Sequence, residues 1–180
     1  MRQQVARTWL CLALLLFAPV AVYWPTVFHE YGYRDDYAHL REAREVPQHL
    51  IRFTSSYGRP VYGTLLVASV RELGGDVANL QWLRLASVVL LGLLGIALMR
   101  LLQRSGWSAT DSAVVGLAVA LLPAAQVTVG WSIAWPIALA LLLALGGFGA
   151  TDMALRRHGW ARVAVWGGAF AAYLVAGFNF

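Results

Sequence analysis

The chain contains no lysine, a single cysteine and few acidic residues, so it carries little charge for its 180 residues. Arginine supplies all 14 basic residues, against nine Asp and Glu, and the formal net charge is +5. The arginines are scattered along the sequence, which excludes the clustered basic face typical of nucleic-acid-binding proteins. The lone Cys11 excludes a disulfide within the chain, and it lies in an apolar run as a small hydrophobic residue.

Apolar sequence is abundant instead, with 59% hydrophobic residues and a mean hydropathy of +0.61. Long uncharged runs of this kind are typical of transmembrane helices. They predict an all-α fold, a polytopic transmembrane helix bundle that forms a single membrane domain over residues 1–180. About five spans are predicted, at about 8–28, 80–102, 112–129, 133–150 and 163–180, with an outer loop at 29–79.

The first predicted span, Thr8–Phe28, could also be interpreted as a signal peptide, because Arg2 and Arg7 form a basic segment before it. However, the apolar run is long for a signal peptide, and no small-residue cleavage site follows it before Glu30. We therefore expect an uncleaved first span.

Two features define the middle spans. Arg84 and Arg100 border the second span, and we expect both side chains to snorkel towards the membrane surfaces. The stretch Ser112–Thr151 contains no charged residue and is too long for one crossing, so it predicts two. The break is expected in VGWSIAWP, where a glycine, a proline and two tryptophans fit an interfacial turn.

The arginines beside the spans predict the orientation in the membrane. With five crossings, one side receives Arg2, Arg7, Arg100, Arg104, Arg156, Arg157 and Arg162. By the positive-inside rule this side is the cytoplasm. The sequence therefore predicts a multi-pass protein of the bacterial inner membrane with a cytoplasmic N-terminus, whose outer loop 29–79 faces the periplasm.

The outer loop is predicted to contain two amphipathic helices that lie in the membrane interface, at residues 36–46 and 61–73. Asp35 or Asp36 is the expected N-cap of the first helix, and Pro47 is expected to kink or end it. The segment SSYGRP, rich in small and polar residues, predicts a turn between the two helices.

The adjacent Asp35 and Asp36 allow three interpretations. They can cap a helix in a solvated loop. At the height of lipid headgroups, partial burial and a neighbouring like charge can instead make one of them a general base. Carboxylate oxygens are also ligands for a divalent cation, so the pair is a candidate site for Mg²⁺ or Mn²⁺.

The layout resembles the start of a GT-C-class integral membrane glycosyltransferase, which uses a polyprenyl-phosphate-sugar donor. RDDY after the first span is similar to the acidic motif of that class, with Asp35 and Asp36 at its two positions. SYGRPVYGTLL resembles the Gly-Arg-Pro segment in bacterial relatives of the O-antigen glucosyltransferases. Members of the class are two to three times longer, so we expect the N-terminal part of such an enzyme or a shortened paralogue.

This resemblance implies a catalytic site in the outer loop. Asp35 or Asp36 would take the proton from an acceptor hydroxyl, in a lipid-linked or cell-envelope acceptor, while the donor loses its lipid phosphate. Arg59 would bind that phosphate, with Arg34 and Arg52 as weaker candidates, because a guanidinium binds phosphate through two parallel hydrogen bonds. Arg59 fits a position facing lipid headgroups equally well.

Two functions without glycosyl transfer stay open. One is a non-catalytic polytopic inner-membrane protein that binds a partner or lipid. The other is a small transporter, which is disfavoured because no charged residue is predicted deep inside a span. Membrane lipids are expected partners in each case, and nucleic acid is not.

Overall fold

The structure, a computed structural model, describes residues 2–179, except for the side chains of Arg2 and Arg34. Within that range the chain folds into helices and turns without any strand, which confirms the all-α prediction. The helices are α1 (Arg2–Val27), α2 (Arg34–Glu45), α3 (Pro47–Ser56), α4 (Pro60–Glu72), α5 (Leu80–Arg104), α6 (Ala109–Leu121), α7 (Pro123–Gly130), α8 (Trp135–Leu155) and α9 (Gly159–Gly177). Short 3₁₀ helices at Val77–Asn79 and Ser132–Ala134 precede α5 and α8.

Three segments are long and apolar enough to cross a membrane: Gln3–Val27, Val77–Arg104 and Ser132–Leu155. Helices α6 and α7 meet this criterion only together, with a bend of 49° between them, as one broken span or a re-entrant loop. The bend follows from Pro123, which cannot donate a backbone hydrogen bond to the preceding turn. Residues 2–179 thus hold three candidate spans, or up to four, and the predicted count of about five is not confirmed.

The fifth predicted span corresponds to α9, which does not meet the criterion. Arg162 lies near its start, and six of its 19 residues are glycine or tryptophan, which lower the hydropathy of a window that would have to span the membrane.

Glycines bring α1, α5 and α6 close together. A Cβ on Gly116 of α6 would lie 2.7 Å from the carbonyl oxygen of Gly95 on α5. Leu15 of α1 lies beside both glycines and is fully buried. Small residues at such a crossing let the backbones pack closely, which is a main source of helix association inside a membrane.

The outward faces of the long helices are apolar. Within the most apolar window of the first candidate span, 11% is buried. Trp9, Phe17, Phe148 and Phe170 each expose more than half of their accessible surface. An apolar surface of this extent fits contact with lipid, as expected for a membrane protein.

Helices α2, α3 and α4 form a compact unit over one end of the bundle, here called the cap (residues 34–72). Its core also includes the start of α5 and the turn before α8, and consists of Leu40, Ala43, Leu50, Leu66, Val67, Val70, Leu80, Leu83 and Ile133. The helices predicted at 36–46 and 61–73 are present as α2 and α4. Helix α3 was not predicted, because Pro47 occupies the first position of a new helix, where a missing N–H removes no hydrogen bond.

Helices α3 and α4 cross at Gly63. A Cβ at this position would overlap the side chain of Thr54, which is buried and donates to the Leu50 carbonyl oxygen at 3.0 Å. The last glycine of GRPVYG is therefore explained by packing within the cap.

Apolar clusters show which helix ends lie together. Near the start of α1, Cys11 packs in one cluster with the later part of α5 and the first part of α6. Near the end of α1, Val27 packs in a second cluster with the earlier part of α5 and with α7. Helices α1 and α5 are thus antiparallel, and α6 and α7 together run from the far end of the bundle to the cap.

Candidate functional site

The two aspartates lie in the first turn of α2, shortly after the linker that follows α1. The helix begins at Arg34 with Tyr33 as its N-cap, so the prediction that an aspartate is the N-cap is wrong. The Asp36 N–H donates to the Tyr33 carbonyl oxygen at 2.9 Å, which closes the first turn before either aspartate could cap it. Both carboxylates nevertheless lie at the positive end of the helix dipole.

Asp36 is fully buried and has both carboxylate oxygens engaged by backbone donors. Its Oδ2 accepts from the Tyr33 N–H at 2.9 Å, and its Oδ1 accepts from the Ile133 N–H at 3.2 Å. Ile133 belongs to the 3₁₀ turn before α8, nearly a hundred residues away in sequence. A single carboxylate therefore links the start of the cap to the turn between α7 and α8.

Aromatic packing around this link brings the same two segments together. The rings of Tyr33 and Trp131 have centroids 6.5 Å apart. A Cβ on Gly130 would lie 3.0 Å from the Tyr33 ring, and one on Gly32 would lie 2.9 Å from the Asp36 Cβ. Glycine at both positions lets the linker and the turn approach each other.

Arg84 does not snorkel to the membrane surface, so that prediction is wrong. Its side chain is buried, and its guanidinium donates to the carbonyl oxygens of His29, at 2.7 Å, and of Tyr31. Both carbonyls lie in the non-helical linker between α1 and α2, where buried acceptors need donors from elsewhere. Arg84 also lies within electrostatic range of Asp36.

Asp35 and Arg59 are exposed, and Tyr62 of α4 lies within electrostatic range of both. The pKa of Tyr62 is raised to about 12, chiefly by burial; Arg59 lowers it, and Asp36 and Asp35 raise it. Tyr62 is thus a neutral phenol at physiological pH. It was not among the predicted site residues, because a tyrosine in an apolar helix carries no sequence signal of this proximity.

The structure says little about Arg34 and Arg52, the other two arginines predicted to bind phosphate. The side chain of Arg34 lies outside the described residues. Arg52 is exposed on α3.

Two further polar side chains near the Asp36–Ile133 bond are donors. Within the described part of the chain, the Ser132 hydroxyl and the Trp135 indole nitrogen are buried without a hydrogen-bond partner. Both residues lie in or next to the 3₁₀ turn that Asp36 holds.

The predicted cation site at Asp35 and Asp36 offers few protein ligands. Among the described residues, no group of three His, Cys, Asp or Glu side chains could hold one. Asp36 uses both oxygens for backbone N–H groups, so the pair offers one open carboxylate, that of Asp35. We derive no metal-dependent step from this arrangement.

Chemically, the site combines an open carboxylate that can accept a proton, a guanidinium that can bind an anion, and a neutral phenol near both. Comparison of the chain with protein-family models, curated proteins and solved structures gives no match in any of the three. We therefore infer the function from these residues themselves.

Proposed function

We propose that the chain is a membrane glycosyltransferase, or its N-terminal part, which transfers a sugar from a polyprenyl-phosphate donor to a lipid-linked or cell-envelope acceptor. The observation that carries the proposal is the electrostatic proximity of Asp35 and Arg59 to Tyr62, beside the linker that follows the first candidate span. Glycosyl transfer from a lipid phosphate requires a general base and a cation that binds the phosphate, and Asp35 and Arg59 each lie within electrostatic range of the same tyrosine.

The reaction would be a direct displacement. The acceptor hydroxyl oxygen forms a bond to the anomeric carbon, and the bond between that carbon and the phosphate oxygen breaks. The lipid phosphate leaves with the bonding electrons, and the hydroxyl proton passes to the Asp35 carboxylate. Arg59 stabilises the charge that develops on the departing phosphate, and the configuration of the anomeric carbon is inverted.

In this proposal the two aspartates have different roles. Asp36 is the positioning residue, because its oxygens hold the first turn of α2 and the turn before α8. Asp35 is the catalytic base, because its exposed carboxylate can reach a substrate. The sequence resemblance implied that either Asp35 or Asp36 is the base.

We also propose an orientation in a bacterial inner membrane with the N-terminus in the cytoplasm, the cap at the periplasmic interface and α9 as an additional crossing. It is supported by the arginine distribution and by the course of α6 and α7 from the far end of the bundle to the cap. Reporter fusions after Arg104 and after Arg162 should be cytoplasmic, and one near Ser55 periplasmic. A cytoplasmic fusion at Ser55 would contradict the orientation and the placement of the site.

The test is transfer from a polyprenyl-phosphate-linked sugar in membranes that contain the protein encoded by the complete reading frame. Asp35→Asn should lower the transfer rate roughly 10²–10⁴-fold, as expected for loss of a general base, with unchanged expression. Arg59→Gln should also lower it, whereas Arg41→Gln, a change at an exposed arginine of α2, should not. Wild-type transfer by Asp35→Asn would end the catalytic proposal.

The divalent cation stays a prediction, and transfer in the presence of a chelator tests it. The alternative function is a non-catalytic inner-membrane protein that binds a partner or lipid. It is favoured by the structural use of Asp36, which leaves a single open carboxylate. Normal transfer by both Asp35→Asn and Arg59→Gln, or no transfer by the wild-type protein, would favour this alternative.

A further inference from the structure

A cleft runs along the seam between α5 and α8. Its apolar part is a shallow, open groove of about 580 Å³. Helices α5 and α8 supply most of its walls, including Leu94, Leu98 and Phe148, and Val119 of α6 and Tyr173 of α9 complete it. Because these helices include two of the candidate spans, this part of the cleft opens towards hydrocarbon.

The cleft continues into a basic part of about 300 Å³ near the C-terminal end of α5. Leu101 and Leu145 line both parts, so the two are neighbours on one seam. Arg100 and Arg104 line the basic part, and one terminal nitrogen of Arg104 lies 3.7 Å from the position of a Cβ on Gly149. The apolar cleft thus ends at two guanidinium groups.

The charges at this end are mainly positive. Asp152 and Arg156 pair at 3.3 Å on α8, and both line a further cleft next to Arg104. Within the described part of the chain, Arg100 and Arg104 have no ion-pair partner. Arg100, Arg104 and Arg156 outnumber the single carboxylate of Asp152, so this end of the seam has a net positive charge and can bind an anion.

We propose that the seam binds an anionic phospholipid, with one acyl chain in the apolar part and the phosphate at Arg100 and Arg104. A transmembrane helix or a second copy of the chain could cover the apolar part, but an apolar helix would leave the two guanidinium groups without an anion. A phospholipid has an acyl chain at one end, which fits the apolar part, and a negatively charged phosphate at the other, which fits the two arginines. The site lies at the opposite end of the bundle from the cap and does not rest on the proposed function.

The test is native mass spectrometry of the full chain, purified in detergent and mixed with dioleoyl phosphatidylglycerol or dioleoyl phosphatidylcholine. The two lipids share their chains and differ in headgroup charge. The wild-type chain should bind the phosphatidylglycerol more tightly. Each of Arg100→Gln and Arg104→Gln should reduce that affinity about fivefold, as expected for one arginine near a lipid phosphate.

A second variant tests whether the lipid occupies the cleft. A Cβ on Gly146 meets no atom within 4 Å, and Gly146 lines the basic part of the cleft, so Gly146→Leu should fill that part without a clash and weaken the binding of phosphatidylglycerol. Gly167→Leu on α9, where a Cβ also meets nothing within 4 Å, is the matched glycine control. Arg157→Gln is the matched arginine control, and neither control should change lipid binding.

Three results would overturn the proposal. One is equal affinity for the two lipids in the wild-type chain. Another is competition by glycerol phosphate as strong as that by the whole lipid, which would assign the arginines to a soluble phosphate. The third is a dimer that Gly146→Leu dissociates, which would assign the seam to a second copy of the chain.

Discussion

The cap and the bundle are held together by different kinds of contact. Besides its shared apolar core, the cap is attached through buried polar groups: Asp36 accepts from two backbone N–H groups, and Arg84 donates to two linker carbonyls. In the bundle, Leu15 packs against Gly95 and Gly116, and one buried side-chain hydrogen bond, from the Tyr23 hydroxyl to the Ala120 carbonyl oxygen at 3.2 Å, joins α1 to α6. Directional bonds fix the position of the cap, whereas close packing holds helices that are already confined by lipid.

This difference predicts which substitutions each region tolerates. The cap should be sensitive to loss of a charged or hydrogen-bonding group. The buried partner that remains then lacks a hydrogen bond, which lowers the free energy of unfolding. The bundle should be sensitive to added volume at its glycines and insensitive to added volume where its surface faces lipid.

The largest effect is expected at Arg84. Arg84→Leu leaves the carbonyl oxygens of His29 and Tyr31 without their buried donor and removes the positive charge near Asp36. We expect a loss of about 3–5 kcal/mol in the free energy of unfolding, as for other broken buried charge contacts. Denaturation in detergent measures it, with Arg71→Leu on the exposed face of α4 as the control. Equal stability of the two variants would contradict the role of Arg84.

The second effect concerns the bundle. Gly116→Val places new atoms against the Gly95 carbonyl and should cost about 1–3 kcal/mol of unfolding free energy. Gly146→Val meets open space, so it should leave the unfolding midpoint close to that of the wild type. A similar shift for both variants would show that glycine acts there through backbone flexibility and not through packing.

The smallest expected effect on stability is in the cap. Tyr62 has its pKa raised from 10.0 to about 12, so burial of the neutral phenol contributes stability below pH 10 that is lost as the pH rises towards 12. We expect this loss to be about 1–2 kcal/mol once residual exposure to water is allowed for. Unfolding measured across this pH range should show it in the wild type and not in Tyr62→Phe.

Tyr57→Phe provides the control, because Tyr57 exposes 68% of its accessible surface. Its pH dependence should match that of the wild type. If Tyr62→Phe kept the same loss of stability, another group would have to be responsible for it.

Periodicity and composition predicted the helical elements, and the structure shows why they did not predict the contacts. Helices α2 and α4 follow from local propensity, so they lie within two residues of the predicted ranges. Pro47 carries the same local signal whether it ends one helix or begins the next, which is why α3 was missed. The predicted count of about five spans is not confirmed, because α6 and α7 are bent at Pro123 and α9 does not meet the criterion for a candidate span.

The site was partly predictable for a similar reason. The aspartate pair stands out in the sequence, but burial of Asp36 depends on Ile133, which only the fold brings near. Arg84 looked like a residue at a span boundary, and its partners are backbone carbonyls, which no sequence pattern distinguishes.

The most direct test of the division between the two aspartates is hydrogen exchange at the Ile133 amide, measured on the protein in detergent. Asp36→Ala removes the acceptor of that N–H, and loss of a charged hydrogen bond should raise its exchange rate about tenfold or more. Asp35→Ala removes an exposed carboxylate and should leave the rate unchanged. Equal exchange in the two variants would contradict the account that Asp36 holds the cap to the bundle while Asp35 stays open to substrate.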